Sequence, residues 1–118
     1  MKRGTGALVL LMLAGGCATA RRGEPLRGPL TLNAAEAHGE VLFARMCHGC
    51  HPGGEGGLGP GLNNKPLPGF LIRFQVRHGL GTMPSFPKER LGDADLDDLV
   101  DFLMRLRRHR GGGGSRRE

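Results

Sequence analysis

The feature that most constrains this chain is Cys47-His48-Gly49-Cys50-His51. Two thiols three positions apart, followed at once by an imidazole, form the pattern by which a haem is attached covalently. Each thiol adds to one vinyl group to give a thioether, and the turn between them brings the next side chain, His51, under the iron. A domain wrapped around such a plate needs little apolar volume of its own, and this chain has little. Only 38% of its 118 residues are hydrophobic, with five Phe and neither Trp nor Tyr. Glycine supplies 22 residues and proline 8. One small domain of this make-up excludes a multidomain enzyme with a large substrate cleft.

Other chemistries for the motif are weaker. Tetrahedral zinc gathers its ligands from two separated clusters, and no second cluster exists. A thioredoxin-like pair wants a strand before it and a helix after it, whereas His51-Pro52 and glycines follow here. A disulfide between Cys47 and Cys50 would close a very tight loop and leave His51 without a role. The third cysteine, Cys17, belongs to a leader: Lys2 and Arg3, the apolar run Ala7 to Leu13, then small residues. That run is too short to span a bilayer. Leu13-Ala14-Gly15-Gly16-Cys17 resembles a bacterial lipoprotein box, with Ala14 where the box usually has Leu, so lipidation of Cys17 stands beside ordinary cleavage nearby. The resulting division is a signal peptide over 1–16, a lipid-anchored tether over 17–32, a folded domain over 33–108 and a flexible Gly/Arg tail over 109–118. The formal net charge is +6. No basic stretch is interleaved with aromatics, so a nucleic-acid groove is not expected.

The flanks of the motif read as helices. Asn33 followed by Glu36 predicts a capping box, and Ala35, Gly39, Leu42, Phe43 and Met46 share one helical face leading into Cys47. Leu96, Leu99, Val100, Leu103 and Leu106 form a second stripe. Asp93, Asp95, Asp97 and Asp98 crowd its start and Arg105, Arg107 and Arg108 its end, matching the helix dipole. Between them Gly69 to Arg77, with Phe70, Leu71, Phe74 and Val76 apolar, predicts a third helix stopped by Gly79.

Together these residues resemble class I cytochrome c. The resemblance runs over about 33–106: Gly39, Phe43 and the Cys47/Cys50/His51 motif, then Gly59-Pro60 with Leu62, then Gly81-Thr82-Met83-Pro84 with Phe86, and Phe102 on the last helix. It implies an all-α cytochrome c fold in which Gly39 and Phe102 mark the crossing of the first and last helices beside one covalent haem c. It also implies His51 as proximal ligand, the Pro60 carbonyl as the partner orienting His51, and Met83 as distal ligand. Met83 lies in a Gly/Pro-rich loop, unlike Met46 and Met104 on helical stripes; His78, five residues earlier, is its rival. His48 is expected to point away, and His38 and His109 to be solvated. With no Trp or Tyr to bond a propionate, Arg73, Arg77 or Asn63 is expected to do so.

The expected function is electron carriage, not enzymatic catalysis. An exported monohaem cytochrome would pass single electrons between donor and acceptor redox proteins through transient encounters, as a monomer. It would act at the periplasmic side of a bacterial membrane, through the lipid anchor or as a soluble protein if Cys17 is not lipidated. An open distal site would instead make it a haem sensor or a peroxidase-like protein, and a fixed position would make it a subunit of a larger oxidoreductase.

Overall fold

A computed structural model describes residues 30–111. The leader, Cys17, nearly all of the tether and residues 112–118 of the tail lie outside the described residues. Three helices follow in order: α1 (Ala34–Met46), α2 (Gly69–His78) and α3 (Asp93–Gly111). A single 3-10 turn, Pro52–Gly54, falls between the first two. Among the described residues no strand forms, only an isolated antiparallel bridge between Leu80 and Met83. The architecture is the expected all-α one.

α1 begins at the capping box predicted for it. The Asn33 side chain accepts from the Glu36 N–H at 2.9 Å, and the Glu36 carboxylate accepts from the Asn33 N–H at 2.9 Å. Two of the orphan donors at the helix start are thereby satisfied. Glu36 is buried and also pairs with Arg108 at 3.2 Å, tying the start of α1 to the end of α3.

The two helices cross where Gly39 faces Asp98 and Phe102. A Cβ at residue 39 would fall 2.6 Å from the Asp98 carbonyl carbon, closer still to its oxygen, and 2.9 Å from the Phe102 Cβ. Only glycine allows that approach. One turn later the rings of Phe43 and Phe102 pack with centroids 5.5 Å apart at 55°, a tilted aromatic pair. The predicted stripe of α3 is the floor of the core: Leu96, Leu99, Val100, Leu103 and Leu106 are all buried.

α2 lies along α3 in antiparallel order, with Arg73 bonded to Asp97 at 2.7 Å and Arg77 to Asp93 at 2.7 Å. The helix extends one residue past the predicted end, to His78, and the Gly79 N–H then caps Gln75 at 2.8 Å. Its burial differs from the simple apolar-stripe expectation. Val76 is buried against α3, whereas Phe70 and Phe74 are 68% and 60% exposed. The other described residues leave most of both rings exposed.

Candidate haem site

The attachment motif is the unwinding end of α1. Cys47 caps the helix, its N–H donating to the Phe43 carbonyl at 2.9 Å. The Cys50 and His51 N–H groups both turn back onto the Cys47 carbonyl, at 3.1 and 2.9 Å. One turn of backbone therefore presents both thiols and then reverses toward His51. The thiols differ in setting. Burial first, and the neighbouring Cys50 second, push the Cys47 thiol up to about 11, while Cys50 is exposed.

His51 is the oriented group. It is buried, and its Nδ1 lies 2.8 Å from the Pro60 carbonyl oxygen. A carbonyl can only accept, so Nδ1 carries the proton and Nε2 keeps the lone pair, the arrangement that suits an imidazole for metal ligation. The loop that brings Pro60 there is folded back by Gly59, whose N–H donates to the Cys50 carbonyl at 2.9 Å. Gly59 also makes room for the ring: a Cβ there would lie 2.7 Å from Nδ1 and 2.9 Å from Nε2. His48 turns to the other side, accepting from the Gly53 N–H at 3.1 Å in an exposed position.

Met83 sits half-buried in a tight turn. Leu80 and Met83 exchange both backbone bonds, at 3.1 and 3.0 Å, between Gly79 and Pro84. Gly79 holds φ +73, and a Cβ on it would press on the Met83 carbonyl oxygen at 2.6 Å. His78 is engaged with its own helix. Its Nδ1 donates to the Phe74 carbonyl at 2.8 Å, and its ring stacks on Phe74 with centroids 4.2 Å apart.

The residues expected at a propionate divide. Asn63 is buried, its N–H donating to the Gly54 carbonyl at 3.0 Å beside the His51 loop. Arg73 and Arg77 are committed elsewhere. Arg73 pairs with Asp97, while Arg77 donates to the carbonyls of Phe86 at 2.9 Å and Leu91 at 2.5 Å and to Asp93 at 2.7 Å. Arg77 clamps the connection after Met83 to the start of α3, a role invisible to spacing because two of its acceptors are backbone atoms. His38, expected to be solvated, is exposed but bonded to Asp98 at 2.7 Å.

The residues present fit a haem. Among the described residues the large apolar side chains left exposed are Leu58, Phe70, Leu71, Phe74 and Leu80, together with Val41 on α1. Apart from Val41 they belong to the segments carrying His51, the outer face of α2 and the Met83 turn. Apolar surface of that extent needs a covering group. Two thiols and one oriented imidazole on a single turn of backbone fit the covalent attachment of a haem.

Comparison with known proteins agrees. A family model described as cytochrome c oxidase, cbb3-type, subunit III matches residues 34–103. The chain is a class I monohaem c-type cytochrome. The cytochrome is 35% identical over 68 residues to the cytochrome c subunit of 4-cresol dehydrogenase (hydroxylating) from Pseudomonas putida, covering 58% of this chain and 59% of that one. It is 31% identical over 86 residues to cytochrome c6 of Synechocystis, covering 65% and 70%. To cytochrome c6 of Cyanidioschyzon merolae it is 34% identical over 76 residues, covering 58% and 71%. No solved structure matches. The cytochrome is an electron carrier and not an enzyme, and its cofactor is a covalently bound haem c.

Proposed function

We propose that Cys47 and Cys50 form the two thioethers, that His51 is the proximal ligand and that Met83 is the distal one. The observation that carries this reading is the His51 to Pro60 bond, which fixes the tautomer and leaves Nε2 as the donor. A haem held there supplies a one-electron couple. The chain's own residues supply the rest: Gly59 admits the imidazole, the Leu80–Met83 turn fixes the thioether, and Phe70, Leu71 and Phe74 exclude water. With both axial positions filled by protein, electron transfer is favoured over ligand chemistry at the iron. Asn63, buried beside the His51 loop, is the propionate candidate.

The partners are a donor and an acceptor redox protein that the monomeric cytochrome meets in weak, transient encounters. The Leu13–Cys17 box supports lipidation at Cys17 on the periplasmic side of a bacterial membrane, with residues 17–32 as tether. Mass spectrometry of the mature N-terminus tests that part: a diacylated Cys17 is expected, and an unmodified terminus elsewhere would contradict it. A second reading, a fixed haem subunit of a larger oxidoreductase, is favoured by the likeness to the cbb3-type oxidase subunit III family and to the P. putida dehydrogenase subunit. Purification as a free monomer that accepts electrons from more than one donor excludes it, and co-purification in a fixed stoichiometry establishes it.

A further inference from the structure

The turn that carries Met83 closes onto the last turn of α2. At the base of the loop over 76–86 both backbone groups of Phe86 are held: its N–H donates to the Val76 carbonyl at 2.9 Å, and its carbonyl accepts from the Arg77 guanidinium at 2.9 Å. Inside that ring the Leu80 and Met83 backbones exchange their two bonds. The chain returning from Met83 presses on Gly79, where a Cβ would meet the Met83 carbonyl oxygen at 2.6 Å and the Ser85 nitrogen at 3.0 Å. Phe86 is buried, with the Arg90 guanidinium 4.7 Å from the centre of its ring. The Arg77 nitrogen that serves Phe86 also donates to the Leu91 carbonyl at 2.5 Å, and its second terminal nitrogen donates to Asp93 at 2.7 Å. One guanidinium therefore joins the end of α2, the exit of the Met83 loop and the start of α3.

These bonds differ in weight. The Arg77 side chain is 15% exposed, and the two carbonyls belong to the buried Phe86 and Leu91, whereas the Asp93 side chain is 63% exposed. An ion pair open to water is screened and contributes little. A charged donor withdrawn from shielded carbonyls leaves them unsatisfied, which costs more. The planar fork of arginine suits the task, because one rigid group reaches acceptors from two segments at once. A thioether is a soft, neutral and weak ligand, so its hold on an iron depends on the chain behind it. A tethered group acts as a local concentration that falls as its tether loosens.

We propose that Arg77 is a positioning residue for the distal ligand: by tying the Phe86 and Leu91 carbonyls to the end of α2 it keeps the Met83 loop closed and sets how often the thioether leaves the iron. This role rests on Met83 being the distal ligand. Electron carriage depends on that retention, since a site that keeps both ligands reorganises little in each cycle and stays shut to small ligands.

The experiment is imidazole binding to the ferric, haem-loaded cytochrome, followed by loss of the methionine-to-iron charge-transfer band. At high imidazole the rate levels off at the rate of loop opening, so the plateau reads the clamp directly. Arg77→Gln is expected to raise that plateau about tenfold to a hundredfold, the factor a charged hydrogen bond carries, while the band of the resting protein is retained. Hydrogen exchange at the Leu80 and Met83 amides is expected to quicken as well. Arg77→Lys keeps the charge but not the fork and is expected to fall between wild type and Arg77→Gln, whereas Asp93→Asn keeps both carbonyl bonds and should stay close to wild type. Gly39→Ala is the comparison for general weakening: it loosens the crossing of α1 and α3, not the loop, and should leave the plateau in place. The haem spectrum and melting midpoint establish that each variant is folded, and Arg77→Lys decides alone if Arg77→Gln is not. A wild-type plateau in folded Arg77→Gln, or in Arg77→Lys standing in for it, overturns the proposal. So does a Gly39→Ala plateau raised as much as that of Arg77→Gln. A wild-type protein without the band, whose imidazole binding Met83→Ala leaves unchanged, overturns the distal assignment itself, whereas a normal band with an unmoved Arg77→Gln plateau overturns the clamp alone.

Discussion

Replacing Gly39 by alanine sets two effects of opposite sign against each other. Away from any neighbour, Gly→Ala inside a helix stabilises by about 0.5–1 kcal/mol, because the unfolded chain loses freedom and the helix gains propensity. At Gly39 the new Cβ would meet the Asp98 carbonyl carbon at 2.6 Å and the Phe102 Cβ at 2.9 Å, where ordinary contact begins at 3.4 Å. The obstacle is mostly helix backbone, which cannot rotate aside, so α1 and α3 must separate by a large fraction of an ångström. A gap of about 0.5–1 Å forfeits a quarter to a half of each dispersion well across the crossing, including the Phe43–Phe102 pair. Overpacking of this kind costs about 1–3 kcal/mol, and a rigid obstacle puts Gly39 at the upper end. Clash should win, leaving a net destabilisation of about 2 kcal/mol, or roughly 8–16 °C in Tm for a domain this size. The assay is thermal and denaturant unfolding of the haem-loaded protein, followed by far-UV circular dichroism and haem absorbance. Gly69→Ala is the control, since its nearest neighbour, at 2.9 Å, is the movable tip of Arg73. A Gly39→Ala protein as stable as the wild type, or more so, would refute the crossing geometry.

Gly59→Ala should disturb the iron rather than the fold, because the added methyl lies 2.7 Å from the His51 Nδ1; a changed axial-ligand signature in electron paramagnetic resonance of the ferric protein checks it. Arg77→Gln should cost about 2–4 kcal/mol in denaturant unfolding by leaving two carbonyls without their charged donor, while shifting the haem potential little. Were Arg77 a propionate partner, the potential would move instead. The Asp93 carboxyl is held below its ordinary value by Lys88 first and Arg77 second. A lowered acid pKa contributes stability above the unfolded value of about 3.8 that is lost as pH falls through the folded one. Asp93→Asn should therefore show a shallower stability decline below pH 4, and a wild-type curve of equal slope would contradict that. Because Asp93 is exposed, the difference should also shrink in high salt.

Some parts of this protein were legible because their causes are local. The capping box needs only Asn33 and Glu36, the α3 stripe only its own periodicity, and the attachment motif is contiguous. Other parts depend on contacts between distant segments. Arg77 reads as one more basic residue until the fold brings the carbonyls of Phe86 and Leu91 to it. Phe70 and Phe74 read as core by hydropathy, yet no other segment among the described residues buries them. Arg107 reaches the Lys65 carbonyl from a helix 42 positions away, beyond any spacing rule.

The central claim is the axial pair of His51 and Met83 on a covalent haem. Its most direct test is an optical and redox titration of the purified cytochrome beside Met83→Ala and His78→Ala. The account predicts a methionine-to-iron charge-transfer band in the ferric protein that survives His78→Ala and vanishes in Met83→Ala, which alone gains ready carbon monoxide binding when reduced. A wild-type protein that lacks the band and binds carbon monoxide freely, or a band that His78→Ala removes, would contradict it.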